Sequence, residues 1–457
     1  MHLNVLSQGV PSPLFEGLWR HPDDATRTGY RSLSYWTSLA QRLEAACIDA
    51  LFLADIHGVY DVYGGSAAAS VRHAHQVPAI DPTLLLPAMA AVTEHLGFAV
   101  TYSVSYHAPY QCARVFSSLD HLTGGRVGWN IVTSDLRLAK ATGLGEYIPH
   151  DERYDRADEF LEVVRALWED SWADGALQHD VAADVFTDPD LVRPVQHKGQ
   201  WFTVDAVHQC EPSPQRTPVL YQAGSSDRGT TFAARHAEVV FVTLSSARRG
   251  AEKVRELRRR AEQFGRDPQA IKVLQGFPVL LGRTKAEAEA RAAEFTELTS
   301  PGGLLAKWCG WVGVDLAAYD DRTPITDIMP EDGRSVTGFL AGASPDRDWT
   351  VGDVRDFIAT PRRPHAHDRL SLFGTPEQVA DRMEEYLDIA GVDGFNLYPC
   401  PPTSGVDDIC DLLVPELQRR GLFRTQYDEA EQTLRQRYLG AGRSAYAPAA
   451  DLSGGLA

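Results

Sequence analysis

Polar side chains that could bind a ligand or transfer protons come at the ends of several apolar runs in this sequence. Asp55 follows LFLA, Thr101 lies late in FAVTYSVS, and Asn130 lies within GWNIVTS. Taken singly, each residue is equally well explained as a helix cap or as part of a hydrogen-bonded turn. Their recurrence after successive runs favours a common ligand site.

The segment from Tyr221 to Gly229, YQAGSSDRG, has the composition of a phosphate-binding turn. Backbone N–H groups at a helix start point outward, glycine permits close approach, and the hydroxyls of Ser225 and Ser226 add donors. A Gly-Ser turn with a serine helix cap is the alternative. The segment matches neither GxGxxG nor the Walker A pattern, so neither a dinucleotide nor a nucleoside triphosphate is indicated.

The segment HDERYDR, residues 150–156, opens a long amphipathic helix with His150, Arg153 and Tyr154 near its positive dipole end. These residues could contact an anion there. A charged and well-capped first turn explains the same residues without a ligand.

Two His-x-His pairs, His73 with His75 and His365 with His367, suggest a metal site. Neither pair follows an apolar strand, and both lie in polar sequence, so we expect solvated loop histidines and no metal. The sequence also lacks CxxC, HExxH and GxSxG. A metal-dependent barrel hydrolase is therefore the weaker enzyme class.

A scaffold of alternating strands and helices would position these residues, and the sequence contains about eight such units. That count predicts a parallel α/β barrel, the TIM (β/α)8 fold, with a doubly wound open sheet as the alternative. Two long insertions, at about 173–217 and 299–369, interrupt the alternation and are expected to be lids or mobile segments. We expect one barrel domain over residues 1–440 and a C-terminal tail over 441–457.

Composition narrows the classes of partner. The 457 residues include 44 basic and 62 acidic side chains, a formal net charge of −18, which gives no general attraction for nucleic acid or anionic lipid. The N-terminus lacks a signal-peptide pattern, and no window approaches the roughly 18 apolar residues of a spanning helix. We expect no nucleic-acid or membrane partner, a cytoplasmic location, and free thiols at the six scattered cysteines.

Several stretches in register together resemble the bacterial-luciferase-like flavin monooxygenases, and within them the group of nitrilotriacetate, dibenzothiophene-sulfone and long-chain alkane monooxygenases. The similarity runs from near the N-terminus to about Leu439. The stretches are GLWRHP at 17–22, DALFLAD at 49–55, LDHLTGGRV at 119–127, WNIVTS at 129–134, HDERYDRA at 150–157 and YQAGSS at 221–226.

This resemblance implies a TIM barrel that takes reduced FMN from a separate NAD(P)H:FMN reductase and reacts it with O2. A flavin hydroperoxide then gives one oxygen atom to a small apolar organic compound, and the other atom leaves as water. A homodimer or homotetramer is also implied. The implied FMN contacts are Asp55, Thr101, His150, Tyr154 and Ser226, with Ser225 beside the phosphate; Asn130 joins them from its place at a strand end.

On the substrate side, Tyr60 and Gln76 match polar active-site positions of the alkane monooxygenases. Asp135 stands where that group has a histidine after the NxVTS motif, and Trp311 falls where the sulfone enzymes have a lid histidine. We predict that Tyr60, Gln76, Asp135 and Trp311 form the catalytic and substrate-binding set.

Two further positions, Val10 and Pro13, stand where the alkane enzymes have Cys and His after the first strand. Loss of groups that could ionise the peroxide or take a proton favours electrophilic oxygen delivery. Our hypothesis is oxygenation of an aromatic or halogenated aromatic ring, with an aromatic sulfone or a long-chain alkane as other substrates. A flavin-binding homologue without turnover remains an alternative function.

Overall fold

The computed structural model describes residues 1–134, 148–224, 226–329, 347–360 and 371–449. Eight parallel strands form a barrel in which each strand pairs with its neighbours in sequence and the first pairs with the last. Because the sheet is closed, the predicted TIM barrel is confirmed. The alternative, an open sheet, would end in unpaired edge strands. The strands are β1 His2–Gln8, β2 Ala50–Ala54, β3 Gly97–Ser103, β4 Val127–Val132, β5 Val219–Gln222, β6 Val239–Val242, β7 Lys272–Leu281 and β8 Gly394–Pro399.

Alternate residues along each strand point into the barrel and fill it. Phe52 and Phe241 meet there, with their ring centroids 4.5 Å apart in an edge contact, and Tyr221 joins the same buried cluster. The residues between them, such as Leu51 and Val240, pack outward in the larger cluster that includes helix residues. Because side chains fill the middle of the barrel, a ligand can bind only at its ends.

The helices alternate with the strands around the outside. Ser226 and Ser246 begin two of them as N-caps that accept hydrogen bonds from backbone N–H groups. The α-helices of five residues or more in the described part are α1 Leu33–Ala45, α2 Ala68–His73, α3 Leu86–Ala90, α4 Pro109–Thr123, α5 His150–Glu169, α6 Asp227–His236, α7 Ala247–Gln263, α8 Lys285–Leu298, α9 Pro301–Val312, α10 Val351–Ala359, α11 Pro376–Glu385, α12 Ser404–Asp408, α13 Val414–Arg419 and α14 Leu434–Leu439.

One helix is less regular than its sequence pattern predicts. The pattern predicts a single helix over residues 407–420, but a π-helical turn, Ile409–Leu413, separates α12 from α13. Pro415 has no N–H to donate to the preceding turn, so the hydrogen-bond ladder is displaced there.

Both insertions contain regular structure where described. In the first, strand Leu177–Asp180 pairs with Val185–Thr187, and Val195–Lys198 pairs with Thr203–Ala206, in two antiparallel hairpins. In the second, α9 and α10 pack together through an apolar cluster, and α9 also contacts α2 in the loop after β2. The second insertion therefore forms a helical cap at the carboxyl end of the barrel.

The amino end of the barrel is closed by the C-terminal segment around α14. Arg435 is fully buried, and its Nε lies 2.7 Å from Glu238 Oε1. It also donates to the carbonyl oxygens of Thr217, at 2.7 Å, and Pro218, at 3.1 Å. Further along, Tyr446 donates to the His236 carbonyl oxygen over 3.0 Å, so the start of the tail packs against the barrel.

Two other expectations concern thiols and membranes. All six cysteines are free, and five of them are buried, which confirms the expectation of free thiols. Within the described ranges, no helix has both the length and the apolar character needed to cross a membrane.

Replacing Arg435 by Met should lower the free energy of unfolding by about 3–5 kcal/mol, because Glu238 would keep a buried charge without its cation. Urea denaturation followed by circular dichroism measures the loss. The R443M protein is the control, since the Arg443 and Asp267 side chains are 47% and 43% exposed and the change should stay within about 1 kcal/mol. Equal losses in the two proteins would contradict the prediction.

Candidate active site

The carboxyl ends of β3 and β4 bring two buried polar side chains together. Thr101 and Asn130 are register partners, and Asn130 Nδ2 donates a hydrogen bond to Thr101 Oγ1 over 2.8 Å. Asn130 Oδ1 is buried and has no hydrogen-bond partner among the described residues. An unpaired buried acceptor costs about 1–3 kcal/mol, so this oxygen marks a place that a ligand donor fits.

Asp55 directly follows β2 at the same end of the barrel. Burial, with a further contribution from the charge of Asp81, raises the pKa of its carboxyl to about 7 despite a hydrogen bond from the Ile56 backbone. His57 Nδ1 lies 3.8 Å from Asp55 Oδ2, which is too far for a hydrogen bond, and burial lowers the pKa of His57. Asp55 can therefore hold or release a proton near neutral pH.

The turn between β5 and α6 forms a narrow cradle against the Tyr154 hydroxyl. Ser226 Oγ accepts a hydrogen bond from the Gly229 N–H over 3.0 Å. A Cβ added at Gly224 would lie 2.8 Å from Tyr154 Oη, and one at Gly229 would lie 2.7 Å from it. A side chain at either position would therefore displace the Tyr154 hydroxyl, and at Gly224 it would also displace Gln222 Nε2, 2.3 Å from such a Cβ.

The arginine in the first turn of α6 is already paired with carboxylates. Arg228 Nη2 lies 2.8 Å from Asp155 Oδ1 and 2.5 Å from Asp158 Oδ2, while its guanidinium lies over the Tyr154 ring at 5.5 Å. The groups suited to an anion are therefore the N–H groups of the first turn of α6 and the hydroxyls beside them.

A cavity of about 630 Å³ opens next to the cradle. Its wall is mostly apolar, and its volume lies within the roughly 300–1,000 Å³ of small-molecule pockets. The cavity therefore gives room for an organic ligand beside the cradle. Residues from the turn, the barrel end and α7 line it, among them Gly224, Thr230, Phe241, Leu244, Lys253 and Tyr398.

The loop after β2 and helix α9 form the other side of the site. Tyr60 packs so closely on Gly310 of α9 that a Cβ at Gly310 would lie 2.4 Å from its ring. Gln76 has a positive φ of 53°, and its buried Oε1 has no hydrogen-bond partner among the described residues. Trp311 is 57% exposed, with Lys307 Nζ 5.0 Å from its ring centroid.

Residues 17–394 match the luciferase-like monooxygenase family. The chain belongs to the luciferase-like monooxygenases. This family member is 44% identical over 443 residues to the long-chain alkane monooxygenase of Geobacillus thermodenitrificans, a match that covers 97% of this chain and 94% of that protein. It is 41% identical over 440 residues to the dimethyl-sulfide monooxygenase of Hyphomicrobium sulfonivorans, which covers 96% and 90% of the two chains.

Solved structures agree with the barrel of this luciferase-like monooxygenase. The crystal structure of a long-chain alkane monooxygenase superposes with a TM-score of 0.88 at 41% identity, and the match covers 98% of this chain and 97% of that one. The structure of a riboflavin lyase with modified FMN and riboflavin has a TM-score of 0.87 at 33% identity, with the same coverages of 98% and 97%. The predicted family and monooxygenase class are confirmed.

The metal alternative gains no support in this monooxygenase. Among the residues that the structure describes, no three His, Cys, Asp or Glu side chains are grouped so that they could hold a metal ion. The predictions for Asp135 and Ser225, for the side chain of His150, and for His365 with His367 fall outside the described residues.

Sequence reasoning missed a buried charged cluster. His75 is 3% exposed, so the expectation of a solvated loop histidine is wrong for this residue. Its Nδ1 lies 3.3 Å from Glu16 Oε1, which in turn lies 3.0 Å from Lys307 Nζ. These residues come from the loops after β1 and β2 and from α9, so only the tertiary fold brings them together.

Replacing Asp55 by Asn should remove a pH dependence of stability in the cofactor-free monooxygenase. The folded protein holds this proton up to about pH 7, whereas the unfolded chain releases it at roughly pH 4. The Asp55 carboxyl therefore lowers the free energy of unfolding as the pH rises through this window, by at most about 4 kcal/mol.

Thermal melts of D55N and wild-type protein between about pH 4 and 8 measure this effect. The D55N protein should gain stability relative to wild type as the pH rises. The D61N protein, changed at an exposed residue of the same loop, should keep a constant difference from wild type. A constant difference for D55N as well would contradict the raised pKa.

Proposed function

We propose that this monooxygenase is the oxygenating component of a two-component system. Reduced FMN, O2 and an organic compound R–H give oxidised FMN, water and R–OH, and an NAD(P)H:FMN reductase supplies the reduced FMN. The observation that carries the proposal is the buried Asn130 Oδ1, which has no partner in the described part of the chain and lies beside Thr101 at the carboxyl end of a barrel of this family.

The residues present fit FMN. The isoalloxazine ring has an imide N–H and two carbonyl groups along one edge, and these match the acceptor Asn130 Oδ1 and the hydroxyl of Thr101. The first turn of α6, Ser226 and the Tyr154 hydroxyl suit the phosphate, because N–H groups at a helix start favour anions. Ser225 and His150 stay predicted members of this set.

Bound reduced FMN would supply the two electrons with which O2 is divided between product and water. The chain's part is to orient the reactants and keep water out. Helix α9 packs on the loop after β2, and α10 packs on α9, which suits exclusion of water. Asp55, with a pKa near 7, can hold a proton at its carboxyl at the working pH, and Asp135 stays a predicted catalytic residue.

We propose an apolar organic substrate: an aromatic or halogenated aromatic ring, an aromatic sulfone or a long-chain alkane. The relatives named for a long-chain alkane and for dimethyl sulfide support an apolar class. Tyr60 and Gln76 would contact the substrate. Trp311 would complete the wall only if α9 changed its position, because most of its side chain faces solvent.

The remaining predictions concern assembly and location. A homodimer or homotetramer and a transient encounter with the reductase stay predictions from the family resemblance, and a cytoplasmic location stays a prediction from the sequence pattern. Light scattering on the purified protein gives the oligomeric state directly.

Labelled oxygen tests the function. Purified protein is mixed with an NADH-driven FMN reductase, ¹⁸O2 and one member of a panel of aromatics, chlorinated aromatics, sulfones and alkanes, and the product is analysed by mass spectrometry. One labelled atom in a product is expected. Binding of reduced FMN without any product would favour the homologue without turnover, and turnover of an aminopolycarboxylate alone would contradict the apolar substrate.

The phosphate cradle gives a sharper prediction. The S226A protein should bind FMN roughly tenfold more weakly and riboflavin, which has no phosphate, as tightly as wild type. Flavin fluorescence quenching measures both affinities. The matched control is S246A, because Ser246 caps α7 in the same way. Both variants should lose about 1 kcal/mol of stability, but S246A should keep the preference for FMN over riboflavin. If S226A loses affinity for FMN and for riboflavin equally, Ser226 does not bind the phosphate.

A further inference from the structure

A buried carboxylate and imidazole pair lies outside the residues assigned so far. Glu16 follows β1, and His75 lies in the loop after β2. Glu16 Oε1 is 3.3 Å from His75 Nδ1 and 3.0 Å from Lys307 Nζ. Lys307 also donates to the carbonyl oxygen of Leu14 over 3.1 Å, so the cation is held against the barrel.

The electrostatics of the pair define what the imidazole can do. Burial alone would raise the pKa of Glu16, but Lys307 and His75 together hold it below its ordinary value. An ionised Glu16 places the ring proton on His75 Nδ1, and Nε2 is then a hydrogen-bond acceptor and a base.

The second ring nitrogen of His75, Nε2, is buried. The side chain is 3% exposed, and Nε2 has no hydrogen-bond partner within the described ranges. An unpaired buried acceptor is unfavourable, and Glu16, which Lys307 holds in place, binds the ring at Nδ1. The arrangement is that of an oriented base whose partner is a ligand.

The position of the ring points to the substrate. Its face stacks on Tyr60, with centroids 5.3 Å apart and planes at 16°, and the next residue is Gln76. Both neighbours belong to the proposed substrate-binding set. Two titratable groups contact the imidazole: Glu16 from the loop after β1, and Tyr60 from the loop that also contains His75. Lys307 of α9 acts on the ring through Glu16.

We propose that His75 accepts a hydrogen bond, and then the proton, from a hydroxyl group carried by the substrate, which is a hydroxylated aromatic compound. This inference rests on the proposed function and narrows its substrate class. Glu16 and Lys307 act as positioning residues for the imidazole.

The proton transfer is balanced and suits electrophilic oxygenation. The O–H bond of the phenol breaks, an N–H bond forms at His75 Nε2, and the phenolate ring becomes richer in electrons at its ortho and para carbons. Overall, a phenol, O2 and reduced FMN give a dihydroxylated ring, water and oxidised FMN. The proton on His75 returns to the phenolate oxygen when the product forms, so the residue is regenerated.

The test uses 4-nitrophenol as probe, because its phenolate is coloured. The full chain is saturated with oxidised FMN, the flavin spectrum is subtracted, and the absorbance of bound 4-nitrophenol is titrated with pH. Wild-type protein should ionise the bound probe at a lower pH than in free solution. The H75F protein should lose this shift and bind the probe roughly tenfold more weakly.

Two variants and one analogue make the result specific. The E16Q protein keeps the imidazole but not its charged partner, so it should lose the ionisation shift while still binding the probe. The H73Q protein is the matched control: His73 lies in the same loop and hydrogen-bonds Ser300, and the probe should behave as in wild type. Nitrobenzene, which lacks the hydroxyl, should bind wild-type and H75F proteins equally.

Each outcome decides the proposal. An ionisation shift that persists in both H75F and E16Q would overturn it, as would wild-type protein that binds nitrobenzene as tightly as 4-nitrophenol. If H75F fails to fold, the shift in E16Q decides alone. Flavin binding, measured in the same samples, separates failure of the proposed function from failure of this inference. Wild-type protein that does not bind FMN would refute the proposed function. FMN binding without a His75-dependent ionisation shift would refute only this inference.

Discussion

Closure of the parallel barrel is the constraint on which the other features of this protein depend. Because β6 pairs with β7 and β8 with β1, all eight strands end at one rim, and loops distant in sequence meet there. Large side chains such as Phe52, Tyr221 and Phe241 fill the interior, so the rim is where polar groups can meet a ligand. Thr101 and Asn130 are neighbours at this rim because β3 pairs with β4 in register.

Buried polar side chains at the two ends of the barrel differ in how they are paired. At the amino end, Arg435 is matched by Glu238 and by carbonyl oxygens, so its charge stabilises only the folded arrangement. At the carboxyl end, Asn130 Oδ1 has no partner among the residues that the structure describes, and burial raises the pKa of Asp55. Asn130 and Asp55 are therefore groups whose energy a bound ligand can improve.

Features that depend on the local order of residues were predicted from the sequence, whereas features that depend on tertiary contacts were missed. Apolar runs followed by polar residues indicated the strands and their ends, which is why Asp55 and Asn130 were correctly placed near strand ends. The hairpins at residues 177–206 lack a periodic apolar pattern because they lie at the surface. His75 was misread because its sequence neighbours are polar, and its burial comes from Glu16 and α9.

One turn of helix α9 carries a residue that faces the barrel rim and a residue that faces solvent. Lys307 reaches inward to Glu16, and Trp311, four residues later, lies over Lys307 with its outer face exposed. In this arrangement Trp311 shields the Glu16 and Lys307 ion pair from water, which strengthens the attraction between the charges. A movement of α9 that turned Trp311 toward the substrate would also carry Lys307 and so weaken its hold on Glu16. The position of Trp311 and the orientation of His75 are therefore coupled through a single helix.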